Sequence, residues 1–205
     1  MESNRIFDLL WRALEHGERL LVRRDAVVVF NSRAMPPPVL PLRIVPLVAA
    51  DFGLLALRFP RNFTRQQLRL FERRFARGER GYIAYCGSAI VHTAWVAVCA
   101  AVQPSEVGHR CGITIGVPVS VIKDCWTPPE WRRRGIYSNV LRILAARELA
   151  DGREVWIYCL VANRASRSGI VRAGFVPCAE LSRWVWLNCL EAARHVRTSE
   201  AASHD

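Results

Sequence analysis

Lysine is almost absent from this chain of 205 residues. Lys123 is the only one, so the formal net charge of +11 rests on arginine. The arginines form no long block and interleave with no aromatic run, which argues against specific nucleic-acid binding. Seven cysteines (Cys86, Cys99, Cys111, Cys125, Cys159, Cys178, Cys189) include no CxxC pair. That excludes a zinc-ribbon spacing and a disulfide framework, so no metal is expected and a reducing, cytoplasmic setting is the simpler one. Long apolar runs are missing too. The longest, 89–102, is broken by His92 and is too short to cross a bilayer as a helix. The first residues show no basic segment followed by an apolar one, so no secretory leader is expected. There is no internal repeat, no Ser/His/Asp arrangement and no partner motif for a covalent cysteine.

What remains is an ordinary globular composition, 51% hydrophobic and 23% charged, long enough to bury a sizeable core. Residues 1–60 read as an N-terminal extension. It holds a helix over 4–15, a hairpin over 20–30 turning at Arg23-Arg24-Asp25, and a proline-rich connection over 35–46. Residues 61–190 read as the main domain. A helix starts at Thr64, whose Thr-x-x-Gln67 spacing suits a capping box, and carries an apolar stripe of Leu68, Phe71 and Phe75. Strands follow over 82–86 and 90–101, then a short strand or loop over 112–117 and a strand over 119–127. A helix over 139–149, a buried strand over 155–161 and a helix over 166–172 ending at Gly174 come next. Segments 175–178 and 182–189 read as closing strands, and 191–205 as a frayed or helical tail. Antiparallel strands first, then strand–helix–strand, imply an α+β fold: a mixed, mainly antiparallel sheet with one parallel crossover and flanking helices.

The run Trp131-Arg132-Arg133-Arg134-Gly135-Ile136-Tyr137-Ser138 joins the strand over 119–127 to the helix that follows. A helix's first N–H groups lack partners within the helix, and its dipole favours negative charge there. Gly135 can take positive φ and let an anion approach the backbone; the arginines can add charged hydrogen bonds. The geometry suits a diphosphate. A solvated basic turn is the plainer alternative.

Two segments resemble the GNAT acyltransferase superfamily. Arg132-Arg133-Arg134-Gly135-Ile136-Tyr137 is similar to its acyl-CoA loop, Q/R-x-x-G-x-G/A, with Tyr137 departing from the usual Gly or Ala. Asn163-Arg164-Ala165-Ser166, continuing to Ala173-Gly174-Phe175, resembles its later Asn, helix and Gly-Phe motif. The resemblance implies a GNAT-like sheet, with acetyl-CoA or another acyl-CoA as donor and no metal. It places the diphosphate on Arg132, Arg133, Arg134, Gly135, Ile136, Tyr137 and Ser138. The pantetheine arm falls between splayed strands, against Cys125, Trp126 and Thr127 after Asp124, and near Asn163 and Ser166. Read from residues alone, Asn163 is also a strand-end turn and Ser166 a helix N-cap.

Direct transfer to an amine needs a base, a polarised carbonyl and an acid for the leaving thiolate. Many family members supply that acid from a tyrosine in the later helix, where this chain has Ile170. Asp124 and His92 are the candidate bases. Asp124 is equally readable as an arginine's ion-pair partner, and His92 as a core histidine; Tyr158 and Glu130 are weaker options. The resemblance implies acetyl transfer to a primary amine of an unidentified small molecule, sugar or peptide. A longer acyl-CoA, an acyl-carrier protein drawn by the +11 charge, and a non-catalytic acyl-CoA-binding module stay open as alternatives. Residues 1–80 carry no motif, and an acceptor-site lid or a homodimer interface is their expected use.

Overall fold

The computed structural model describes residues 22–32, 34–107, 112–186 and 190–198. The helix expected over 4–15 lies outside them. The chain runs β1 (Val22–Ser32), β2 (Arg43–Pro46), α1 (Phe52–Arg58), α2 (Arg65–Ala76), β3 (Arg80–Cys86), β4 (Ala89–Val102) and β5 (Ile113–Trp126). It continues with α3 (Ile136–Ala150), β6 (Val155–Leu160), α4 (Arg164–Ala173), β7 (Val176–Trp186) and β8 (Leu190–Thr198). The eight strands form one sheet in the order β2-β3-β4-β5-β6-β1-β7-β8. Among the described residues only β5 and β6 pair in parallel, joined by α3; the other neighbouring strands are antiparallel.

The hairpin expected over 20–30 is a single strand, β1. It lies inside the sheet, so residues 22–32 of the expected extension belong to the core. Val27 and Val29 bury one face while Val28 and Phe30 bury the other, the pattern of an interior strand. Arg23-Arg24-Asp25 stays extended because β7 answers its charges. Arg24 donates to Glu180 (2.7 Å) and Asp25 accepts from Arg183 (3.1 Å).

The tail expected to be frayed or helical supplies β8, paired along β7. Segments 112–117 and 119–127 merge into β5, whose register shifts opposite Cys99 and Ala101, around Gly116 at φ 83°. The two closing strands are likewise one, β7. Thr64 does cap α2, accepting from the Gln67 N–H at 3.4 Å. Helix α1, which its short apolar run does not announce, buries Phe52 and Leu55.

Helices α3 and α4 cover one face of the sheet around Phe30, Val96, Ile122, Leu141, Leu144 and Phe175. Helices α1 and α2 cover the β3–β4 part of the other face with an aromatic cluster centred on Phe71 and Trp95, 4.9 Å apart. The proline-rich connection straps across α3. Buried Asn139 accepts from the Val39 and Leu40 N–H groups (2.7 and 3.0 Å) and donates to the Leu40 carbonyl (2.9 Å). Among the described residues no helix is long and apolar enough to cross a membrane.

Candidate functional site

Strand β5 is the element that builds the site. Its parallel pairing with β6 covers three residues, Ser120 to Ile122 against Val155 to Ile157, and then stops. Opposite β4 the register shifts between Thr93 and Trp95, and Asp124 takes φ 48°. Aspartate tolerates that left-handed conformation better than most side chains. Beyond the bulge the side chains part company. Trp126 packs on Phe59 and Phe63 in the α1/α2 cluster (centroids 4.9 and 5.0 Å), whereas Cys125 packs into the core beneath α3.

After Thr127 the chain makes one tight turn over Pro129–Trp131 and enters α3 through Arg133 (φ 62°) and Gly135 (φ 74°). The first i to i−4 bond runs from Asn139 N–H to the Gly135 carbonyl (3.0 Å), leaving the Ile136, Tyr137 and Ser138 amides at the open helix end. Arg132 is tied back, its Nε donating to the Thr127 carbonyl at 3.0 Å. Exposed Arg134 stacks on Trp131 at 4.9 Å, and Arg133 is exposed. Ser138 and Ile136 are buried.

Under the helix end, five of the residues expected at the site form a chain of contacts. His92 Nδ1 and the Thr127 hydroxyl share a hydrogen bond of 2.7 Å. The His92 ring stacks on Tyr137 at 5.7 Å, and the Tyr137 phenol shares a 3.1 Å bond with the Ser166 hydroxyl. Ser166 N–H donates to Asn163 Oδ1 (3.0 Å), so Asn163 caps α4. His92 is buried and its Nε2 has no partner. Burial holds it neutral, with a pKa down at about 3. Burial also pushes the Tyr137 phenol well above its ordinary value; Cys125 and Cys159 add to this and the Ser166 bond opposes it.

Asp124 stands apart from this chain. It is half-exposed and forms an ion pair with Arg74, which is buried and lies 5.0 Å over the Trp95 ring. Sequence reading missed Arg74, although its place three residues after Phe71 puts it on the apolar stripe of α2. Beside the pair, Glu79 meets Lys123 Nζ (2.9 Å) and Arg77 Nη2 (3.0 Å). Glu79, Arg77 and Lys123, but not Asp124 or Arg74, line a cavity of about 400 Å³ on the face away from α3, together with Val98, Gln103, Val121 and Tyr158. Lys123 and Tyr158 directly follow the last paired residues of β5 and β6, so the cavity opens where the strands diverge. Ile170 is fully buried in the core, so the chain carries no acid at that position. Among the described residues no group of His, Cys, Asp or Glu could hold a metal ion.

No family model matches the sequence, and no curated protein sequence does either. Solved structures do match. An acetyltransferase of the GNAT family from Colwellia psychrerythraea superposes with a TM-score of 0.57 at 12% identity, over 87% of this chain and 62% of that one. The fold is that of the GNAT acyltransferases. A GNAT-family protein from Novosphingobium aromaticivorans gives 0.52 at 15% identity, over 80% and 64%. A conserved protein of unknown function from Staphylococcus epidermidis gives 0.51 at 12%, over 86% and 65%. This chain therefore spans under two thirds of the length of these GNAT-fold neighbours. At such identities the likeness concerns the fold, and function has to be argued from the site.

Proposed function

We propose that this chain is an acyl-CoA-dependent acyltransferase that moves an acetyl group from acetyl-CoA directly to a primary amine. One observation carries the reading: β5 leaves β6 after Ile122 and runs, through a left-handed Gly135, into an uncapped helix N-terminus. The diphosphate is assigned to the backbone amides of Arg132–Ser138 and the exposed side chains of Arg132, Arg133 and Arg134, with the helix dipole and the arginines supplying charge. The pantetheine arm is assigned to the gap between β5 and β6, against the backbone of Cys125, Trp126 and Thr127 and beside Asn163 and Ser166. The acceptor is assigned to the cavity on the opposite face, which meets the gap at Lys123 and Tyr158.

In this arrangement the amine nitrogen attacks the thioester carbonyl and the CoA thiolate leaves. Positioning both reactants supplies much of the rate, since a thiolate is already a fair leaving group. Asp124 and His92 are the proposed bases, and their settings differ. Asp124 is half-exposed, and the Arg74 bond engages only its Oδ2. His92, neutral with a pKa at about 3, is a weak proton acceptor and better suited to hydrogen bonding. A non-catalytic acyl-CoA-binding module is the second reading, favoured by the buried Ile170 where the family's tyrosine acid would stand.

Free-thiol release from acetyl-CoA, followed over a panel of amines, amino sugars and peptides, separates the two. Catalysis predicts acceptor-dependent release that Asp124→Asn reduces at least tenfold. CoA binding with no release for any acceptor supports the binding module.

A further inference from the structure

We infer that Tyr137 is the gate of the donor groove: its ring occupies the gap between β5 and β6 and must leave before the donor's arm can enter. The inference rests on the donor reading above. Tyr137 stands where the loop pattern calls for Gly or Ala, and its side chain turns inward. It packs into the core cluster on the α3 side of the sheet that also holds Cys125 of β5 and Cys159 of β6. Three contacts seat it there. The phenol bonds Ser166 at 3.1 Å, the ring stacks on His92, and its edge lies on Gly169. A Cβ on Gly169 would stand 2.5 Å from Tyr137 Cδ1 and 2.9 Å from Cε1, so α4 accepts the ring only because that residue is glycine.

A second observation points the same way. His92, whose ring stacks on that of Tyr137, keeps a buried Nε2 without a partner, and a buried polar atom left unpaired is unfavourable. Withdrawal of the ring opens that nitrogen to the groove, where an amide of the pantetheine arm supplies the missing hydrogen bond. The closed gap is thus complete in packing and incomplete in hydrogen bonding. The unpaired edge of β5 beyond Ile122 offers the arm its remaining backbone partners.

A ligand whose binding-competent state is a minor one binds more weakly by the fraction of that state. Opening the gate by mutation therefore tightens binding of any ligand with the arm and leaves others unchanged. Two variants open it by different routes. Tyr137→Ala removes the ring. Gly169→Ala expels it while leaving Tyr137 in place, and alanine favours the helix.

Calorimetric titration with CoA, and with ADP, which has the diphosphate but no arm, tests the gate. Both variants are expected to bind CoA about tenfold tighter than the parent. ADP affinity should stay the same throughout. If the parent binds CoA and both variants bind it equally or more weakly, the gate is overturned. Tightening of ADP to the same extent overturns it as well, because the effect then does not concern the arm. Absence of CoA and ADP binding in every form defeats the donor reading itself, and the gate with it.

Discussion

Glu148→Ala is expected to lower unfolding stability by about 2–3 kcal/mol, the scale of losing charge-assisted hydrogen bonds to a buried carboxylate whose arginine partners are partly exposed. The Glu148 side chain is 2% exposed. Its Oε2 accepts from the Ser120 hydroxyl (2.6 Å), Arg80 Nη2 (2.7 Å) and Arg153 Nη2 (3.0 Å). Arg153 Nε donates in turn to the Ser120 oxygen at 3.0 Å. The network joins β3, the start of the parallel β5–β6 pairing and the end of α3. Truncation takes Glu148 from Arg80 and leaves Arg153 with Asp151 alone, beside a ladder only three residues long.

Burial by itself pushes the Glu148 carboxyl up, but the hydrogen bonds from Ser120, Arg80 and Arg153 outweigh it and the pKa falls below its ordinary 4.5. Its contribution is therefore present above the ordinary carboxylate range and lost as pH drops through the lowered value. Chemical denaturation at pH 7 should show a reduced midpoint at unchanged slope. A loss under about 1 kcal/mol would mean that the network does not anchor the crossover.

The second large effect belongs to His92. Its folded pKa is about 3 against an ordinary 6.5, so the folded state refuses a proton that the unfolded state accepts. The stability tied to its neutral form is complete above 6.5 and falls as pH drops from there toward 3. The slope is about 1.4 kcal/mol per pH unit, or roughly 3 kcal/mol by pH 4.5. Carboxylates titrate in the same window, so the comparison that isolates His92 is parent against His92→Gln. The parent should lose stability more steeply between pH 6.5 and 4.5. Equal slopes would show that His92 takes up its proton in the folded protein. The same pKa leaves His92 neutral from pH 5 to 8, so it cannot shape an activity profile in that range.

The parts of the site built from local chain geometry were legible in the residues. Gly135 in the left-handed region, the unpaired amides after it and Gly174 closing α4 at φ 111° follow from spacings of a few residues, whereas the N-cap read at Ser166 falls three residues earlier, on Asn163. The parts built from distant partners were not. Asp124 meets Arg74 fifty residues away, and Asn139 holds a strap some hundred residues upstream. β1 pairs with β6 and β7, both more than a hundred residues further along the chain, so its neighbours are not written in its own apolar run. Tyr137 shows the two together. Its departure from Gly or Ala was visible in the loop, but its socket is made by His92, Ser166 and Gly169 from other elements.

The central claim, that the Arg132–Ser138 loop receives the diphosphate of an acyl-CoA, is tested most directly by thermal unfolding with and without CoA. A ligand that binds only the native state at about 100 times its Kd adds about 2.7 kcal/mol. For a chain of this size that raises Tm by roughly 5–10 °C. Sulfate at matched ionic strength should give a far smaller shift, which separates the loop's recognition from the general pull of a +11 protein on anions. A CoA-dependent rise of this size is the expected result. No rise at millimolar CoA, or an equal rise with sulfate, would contradict the account.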